Sequence, residues 1–407
     1  MDARDVIETL AIILAAGLVS ELVATALRVP RMVVLLAAGV VLGPDVAGVL
    51  EIELDAIGVQ LLLTFGVSFI LFHGGLNASL DVLSRVGVGL ALLAVPGVVL
   101  TALVVGAVAS FAFGIPFEVG FLVGAVVAPT DPAILIPLFE RLRVRPKLSQ
   151  TIVAESALND ATGAVLALAV AAHIVEGGGS LAGPLADFVI ELALSVGLGL
   201  VFGFLLALVL SDRPVGIWRQ SPAVAVAALI AAAYVSIDTA GGSGYMGAFI
   251  AGVIAGNARH FSLGAAEEHE RELEFASERV TDVVVLFVFV VVGASLPLGD
   301  MAENALAGLA VVAALIALAR PVTALACLLP DRRGAWDGRE IAFLAWTRET
   351  GVVPISLAGI LLAEGVRYET EIVTVVAFAI VVTLAVQATT KAWLARRLDL
   401  LDPEGVA

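Results

Sequence analysis

The sequence predicts an all-α polytopic membrane protein with about thirteen transmembrane helices. Hydrophobic residues make up 60% of the chain, and the mean hydropathy is +1.06. Only 15% of the residues are charged, whereas a soluble domain carries about 25%. Apolar runs of about 20 residues, the length that spans a bilayer, follow one another from Val6 almost to Trp393. They leave no room for a soluble domain, so we expect residues 1–407 to form a single transmembrane domain.

Short polar breaks and Gly/Pro positions separate the candidate spans along the chain. The N-terminus, Met1 to Asp5, is acidic where a secretory signal would be basic, so the first run is read as a retained helix. The first six spans are expected at 6–28, 32–50, 57–76, 86–113, 117–139 and 148–175. A linker helix at 183–211 is followed by spans at 220–238, 244–262, 277–297, 303–329, 339–363 and 370–395.

The basic residues are distributed unequally between the two sides of this arrangement. If the N-terminus lies outside, 18 of the 22 Lys and Arg residues fall on one side, Lys391 among them. Only Arg4 and Arg367 fall on the other side. An excess of Lys and Arg is typical of cytoplasmic loops. We therefore predict a multi-pass protein of a prokaryotic cell membrane, with its N-terminus outside and its C-terminus in the cytoplasm.

Two spans are interrupted at corresponding positions. The fifth contains Ala-Pro-Thr-Asp-Pro at 128–132, and the twelfth contains Thr-Arg-Glu-Thr-Gly-Val-Val-Pro at 347–354. Proline removes a backbone hydrogen bond and so breaks a helix. The interrupted spans are seven apart, and this odd offset inverts residues 220–395 relative to residues 6–175. Paired interruptions in inverted six-helix repeats indicate a transport site near the middle of the membrane, where the broken helices cross.

The sixth span carries Glu155, Ser156, Asn159 and Asp160 within one apolar helix. Ionisable groups at bilayer depth cost roughly 2.5 to more than 10 kcal/mol, so by default they mark an ion or proton pathway. Asp160 lies roughly 18 Å along its span, at 1.5 Å per residue, near the bilayer centre. A carboxyl group there can hold either a proton or a small cation.

The spacing of these residues divides them between two faces. Glu155 and Asn159 share one face, and Ser156 and Asp160 share the neighbouring one. Both faces can contribute oxygens, and the neutral Asn159 beside Asp160 means that the pair brings one titrating charge. Polar contacts between packed helices are the alternative explanation. They would account for Ser156 and Asn159, but hardly for two carboxylates.

The break in the fifth span adds Thr130 and Asp131 to this set. Unwound backbone carbonyls, such as that of Thr130, are ligands for transported cations, and Asp131 supplies a second carboxylate. Asp131 could instead be the N-cap of a new helix with Pro132 in its first position. The two interpretations are compatible. We expect Asp131 to contact a cation directly or through water.

Two arginines lie within predicted spans. Arg320 is deep in the eleventh and needs a buried acid; Glu155 is the natural partner, because Asp160 must stay unpaired in order to titrate. The alternative is that Arg320 extends to the membrane interface. Arg348 lies at the second break, beside Glu349. It either points to the crossing, where its charge would offset helix dipoles, or pairs with Glu349.

These motifs resemble those of the cation/proton antiporter superfamily, specifically its NhaP-type sodium/proton antiporters in the monovalent cation:proton antiporter 1 branch. The likeness runs over most of the chain. Residues 155–160 (Glu-Ser-Ala-Leu-Asn-Asp) are similar to the family's Glu-Ser followed by Asn-Asp, and residues 129–132 to its broken fifth helix. Weaker similarities lie at 30–44, 72–76 and 246–252. Family members often have Gly after the arginine at the second break, where this chain has Glu349, so the role of Arg348 is open.

The resemblance implies the sodium/proton antiporter fold, in a homodimer of thirteen-helix protomers whose six-helix cores move to alternate access. It implies that sodium, or lithium, exchanges for protons in an electroneutral 1:1 ratio. No resident cofactor is expected, because sodium and the proton are both transported. The expected cation-binding and proton-binding residues are Asp160, Asp131, Ser156, Thr130 and Glu155, supported by Asn159, Arg320 and Arg348.

The sequence also bears on other functions. A potassium/proton antiporter would use the same carboxylates. A sodium-coupled symporter of an organic solute would need a larger cavity and a separate sodium site, and the adjacent carboxylates argue against it. The sequence shows no pairing of a nucleophile with a general base that would indicate an enzyme. The net charge of -16 argues against nucleic acid as a partner, and the acidic, lysine-poor composition suggests a halophilic prokaryote.

Overall fold

The computed structural model describes residues 3–27, 29–51, 57–131, 135–136, 138–139, 142–176, 182–264, 267–363 and 366–402. Pro132, in the first predicted break, lies outside this part of the chain. The named elements within it are all helices. The long ones, numbered along the chain, are α1 Ala3–Leu27, α2 Arg31–Leu42, α3 Ile57–Leu76, α4 Leu80–Phe113, α5 Phe117–Val127, α6 Pro146–Glu176, α7 Ala182–Leu210, α8 Pro222–Thr239, α9 Gly244–Gly256, α10 Glu267–Ala294, α11 Ala305–Leu328, α12 Gly338–Trp346, α13 Val352–Ala363 and α14 Glu369–Arg397.

This succession confirms the predicted fold class. Within the described residues, eight helices are long and apolar enough to cross a membrane: α1, α3, α4, α6, α7, α8, α11 and α14. Large apolar side chains cover much of the outside, among them Leu22, Phe111 and Leu306. An apolar exterior of this kind suits a lipid environment, because lipid tails are as apolar as these side chains and the hydrophobic effect does not drive their burial.

The predicted end of the second span is wrong. The sequence pattern predicts a span to residue 50, but α2 ends at Leu42 and Gly43 donates its N–H to Gly39 O at 2.8 Å. Pro44 has no N–H to continue the helix, so the apolar residues that follow form a turn. The tenth predicted span begins inside α10, whose polar first turns start at Glu267.

Small residues let the helices of the core approach closely. Gly124 of α5 faces the backbone of Ala102 in α4, and a Cβ at this glycine would lie 2.5 Å from Ala102 O. Small residues at such interfaces are typical of membrane helices. The close contact holds the first broken helix, α5, against α4.

The apolar interior forms two clusters. The smaller one joins side chains of α3, α7, α8, α9 and the start of α10, with Phe72, Ile230 and Leu273 among them. The larger one includes α4, α5, α6 and the helices from α11 to α14. Both interrupted helices belong to the larger cluster, so the breaks lie inside packed protein. Irregular backbone at membrane depth is tolerated only in such a place.

Candidate functional site

The two helix breaks meet in the interior of the larger cluster. The backbone N–H of Asp131, in the first break, donates to the carbonyl oxygen of Glu349, in the second, at 2.9 Å. Gly351 faces the same aspartate, and a Cβ added to this glycine would overlap the Asp131 carboxylate. A glycine is therefore required where the second break passes Asp131. This pairing makes the crossing that the two interruptions predict.

Local sequence explains where the second break begins. Asp337 caps α12 by accepting the N–H of Glu340 at 2.7 Å, and Glu340 accepts the N–H of Asp337 in return at 3.1 Å. This reciprocal capping box fixes the first turn of the helix. The helix ends at Trp346, and Thr347 is already extended at φ -91 and ψ 103. The extended backbone then carries Arg348 and Glu349 into the crossing.

An arginine side chain contacts the C-terminal end of each broken helix. Arg348 donates to the carbonyl oxygens of Ala128 and, at 3.4 Å, Val127, at the end of α5. Arg320 donates its Nε–H to Leu344 O at 2.9 Å and to Thr347 O at 3.1 Å, at the end of α12. The last carbonyls of a helix carry partial negative charge. Each guanidinium therefore donates hydrogen bonds to the carbonyl oxygens of an interrupted helix end and offsets their partial negative charge. For Arg348, this is the predicted orientation toward the crossing.

Arg320 also forms the expected ion pair with Glu155. Its Nη1 lies 2.5 Å from Glu155 Oε1, its Nη2 lies 2.9 Å from Oε2, and both side chains are buried. Such a two-bond arrangement is the strongest geometry for an arginine and a carboxylate. Both Glu155 oxygens thus face Arg320. The pair ties α6 to α11 and, through the carbonyls described above, to the end of α12.

Thr130 is joined to α6 by three hydrogen bonds. Its hydroxyl lies 2.7 Å from Ser156 Oγ and accepts a bond from Asn159 Nδ2 at 3.0 Å. Its backbone N–H donates to Asn159 Oδ1 at 3.1 Å. Asn159 therefore uses both halves of its amide to hold the unwound segment. These contacts place the hydroxyls of Thr130 and Ser156 side by side.

Asp160 lies about one turn after Ser156 on α6, and its carboxyl group has no hydrogen bond to the described residues. It is 3% exposed, and neither carboxylate oxygen has a hydrogen-bond partner within the described part of the chain. Asp131 lies close enough for the two carboxylates to repel each other. A buried polar group in a folded protein normally has a partner. The orphaned carboxyl group is thus chemically able to take a proton or a cation.

Lys391, one of the basic residues predicted on the cytoplasmic side, lies in the protein interior. It is 0% exposed, and its Nζ lies 2.5 Å from Glu349 Oε1. Its ammonium group is buried among the helices, and its Nζ lies 5.3 Å from the centroid of the Phe139 ring. Because Glu349 pairs with this lysine, the alternative pairing of Arg348 with Glu349 is not what the structure shows.

Sequence reasoning also missed Thr383 and Gln387, which precede Lys391 on the same helix at intervals of four residues. Thr383 Oγ1 accepts the N–H of Thr350 at 3.1 Å, and Gln387 Nε2 donates to Trp346 O at 2.6 Å. All three side chains are fully buried. The four-residue spacing of Thr383 and Gln387 in a largely apolar helix is the signal that could have identified these two residues.

Comparisons with known proteins agree with this fold. The family model described as "Sodium/hydrogen exchanger, transmembrane" matches residues 10–397. A Shewanella oneidensis protein named K(+)/H(+) antiporter NhaP2 is 28% identical over 396 residues, or 95% of this chain, and the chain spans 66% of that relative's length. A Methanocaldococcus jannaschii protein named Probable Na(+)/H(+) antiporter 2 is 27% identical over 88% of this chain and 85% of that one.

A solved structure extends the likeness to three dimensions. The sodium proton antiporter MjNhaP1 from Methanocaldococcus jannaschii, determined at pH 8, superposes with a TM-score of 0.78 at 25% sequence identity. The match covers 98% of this chain and 99% of the other. The resemblance found in the sequence motifs is thereby confirmed. Because the family model matches almost the whole chain, this protein belongs to the sodium/hydrogen exchanger family of cation/proton antiporters.

Proposed function

We propose that this chain is a secondary antiporter that exchanges sodium for protons by alternating access, with Asp160 binding the two in turn. The observation that carries the proposal is the buried Asp160 carboxyl group, whose oxygens have no hydrogen bond to described residues. An isolated buried carboxylate is strongly unfavourable. Binding either a proton or a cation relieves this cost, and one group cannot hold both. Competition at a single carboxyl group is the basis of exchange.

Neighbouring oxygens complete the proposed cation site. Asp131 contributes a second negative charge beside Asp160, and the paired hydroxyls of Ser156 and Thr130 offer neutral oxygens. Hard cations prefer oxygen ligands of these kinds. Glu155 acts first as the counter-ion of Arg320, because both its oxygens are engaged there. Its direct contact with sodium stays a prediction.

The buried charges support an electroneutral 1:1 ratio. Among the described residues around the crossing, four carboxylates face three cationic side chains: Asp131, Glu155, Asp160 and Glu349 against Arg320, Arg348 and Lys391. One negative charge is left in excess. A single sodium ion or a single proton neutralises it, so the carrier crosses with the same net charge in both directions.

Potassium is the alternative cation. The Shewanella relative is named as a potassium/proton antiporter, and the Methanocaldococcus relatives are named as sodium/proton antiporters. We place the protein in a prokaryotic cell membrane as a homodimer with the N-terminus outside. Within each protomer, residues 6–175 and 220–395 act as the two repeats, joined by the helix at 183–211.

Proteoliposomes containing a pH-sensitive dye test this function. Additions of sodium, lithium or potassium chloride should show sodium driving proton efflux most strongly. A potassium diffusion potential set with valinomycin should leave the sodium-driven rate unchanged. Flux driven by potassium alone would establish the alternative cation. A rate that follows the potential would contradict the electroneutral ratio, and no flux with any of the three cations would contradict the function.

A further inference from the structure

The pair formed by Lys391 and Glu349 binds neither the cation nor the proton in the function proposed above, yet Glu349 contacts Asp131 of the cation site through its backbone. The chain has only two lysines, Lys147 and Lys391. Lys147 pairs with Glu340 at 2.6 Å and is 28% exposed. Lys391 and Glu349 are both 0% exposed. A buried pair that lacks either member leaves an uncompensated charge in a place that water does not reach.

Glu349 connects this pair to the cation site through its own backbone. Its carbonyl oxygen accepts the N–H of Asp131 at 2.9 Å, while its side chain holds the Lys391 ammonium group. On the next residue, the Thr350 N–H is held by Thr383 of α14. The segment that positions Asp131 therefore contacts α14 at two consecutive residues, through the Glu349 side chain and the Thr350 N–H.

We propose that Glu349 and Lys391 form a charge-matched pair that keeps the crossing at one net negative charge and thereby sets the affinity for the transported cation. Glu349 neutralises the charge of Lys391, which would otherwise repel the incoming cation. Neither residue binds the cation itself. The inference rests on the proposed exchange function, and it assigns a role to the position at which this chain departs from the family's Arg-Gly pattern.

The charge-matching role differs from a purely structural one in a testable way. Glu349→Gln keeps the size of the side chain and leaves the Lys391 ammonium group unpaired beside the site. Adding Lys391→Met removes that charge while retaining a long apolar stem. The ion pair is absent from both variants, so a structural role predicts that the KM defect persists in the double variant, even where removal of the unpaired ammonium group recovers stability. A charge-matching role predicts that the second substitution repairs the first.

The experiment measures KM and maximal rate of sodium-driven proton flux in proteoliposomes, with potassium chloride tested in parallel. Glu349→Gln should raise the cation KM at least fivefold, and the double variant should return it to within about twofold of the parent. Glu340→Gln is the matched control. It breaks the pair with Lys147, keeps an N3 side chain that suits the capping box, and should leave KM unchanged.

The possible results separate this inference from the function on which it rests. An unaltered KM in Glu349→Gln, or a double variant no better than Glu349→Gln alone, overturns the charge-matching role while the parent still exchanges ions. If Glu349→Gln does not fold, a folded double variant with near-parental KM supports the role, and an unfolded one overturns it. A parent protein without cation-driven proton flux would contradict the exchange function itself.

Discussion

Arg320→Met should destabilise the protein by about 3–5 kcal/mol, the cost of removing one partner from a buried ion pair. Arg320 is fully buried and donates two hydrogen bonds to Glu155, at 2.5 and 2.9 Å, and two to the carbonyls that end α12. Methionine fills much of the volume but donates none. It leaves a buried Glu155 carboxylate and two helix-end carbonyls without their partner. The loss is therefore dominated by uncompensated polar groups.

An exposed pair with similar geometry provides the control. Arg259 contacts Glu270 through two nitrogens, at 3.0 and 2.7 Å, but its side chain is 59% exposed. Exposed ion pairs contribute about 0–1 kcal/mol, so Arg259→Met should cost far less. Equilibrium unfolding in mixed micelles, followed by circular dichroism, measures both variants. Adding Glu155→Gln to Arg320→Met should recover part of the loss. Equal destabilisation by the two arginine substitutions would refute the reasoning.

Three further substitutions test the crossing. Gly351→Ala places a methyl group on the Asp131 carboxylate and should raise the cation KM at least tenfold, measured as sodium-driven flux; unchanged KM would refute the close contact. Asn159→Ala removes the hydrogen bonds that hold the unwound segment and should cost about 1–3 kcal/mol in unfolding free energy. Arg348→Met exposes the end of α5 at Ala128 and should slow exchange more than it alters stability; the reverse order would contradict its role.

Much of the crossing could be predicted because its chemistry is local in sequence. A proline-rich interruption inside an apolar span identifies a broken helix. A carboxyl group in the middle of an apolar span, such as that of Asp160, indicates a functional site. Arg320 was predictable for a related reason. A charge so deep in an apolar run requires an opposite charge, and few buried acids were available.

Lys391 could not be placed in this way. It lies six residues before Arg397, where basic residues normally mark the membrane surface, and its partner Glu349 is 42 positions earlier, in the second helix break. A π-helical segment at Thr383–Ala388 also shifts the register of α14. An added residue in a turn rotates every later side chain. Which face is buried therefore depends on packing that the sequence pattern does not record.

The central claim, that Asp160 carries both the cation and the proton, is tested most directly by sodium-driven proton flux in Asp160→Asn. Asparagine keeps the volume of aspartate but has no carboxylate to bind either ion. Circular dichroism should show a folded protein, and the flux should fall to the level of empty liposomes. Appreciable sodium-driven flux from the folded variant would contradict the claim.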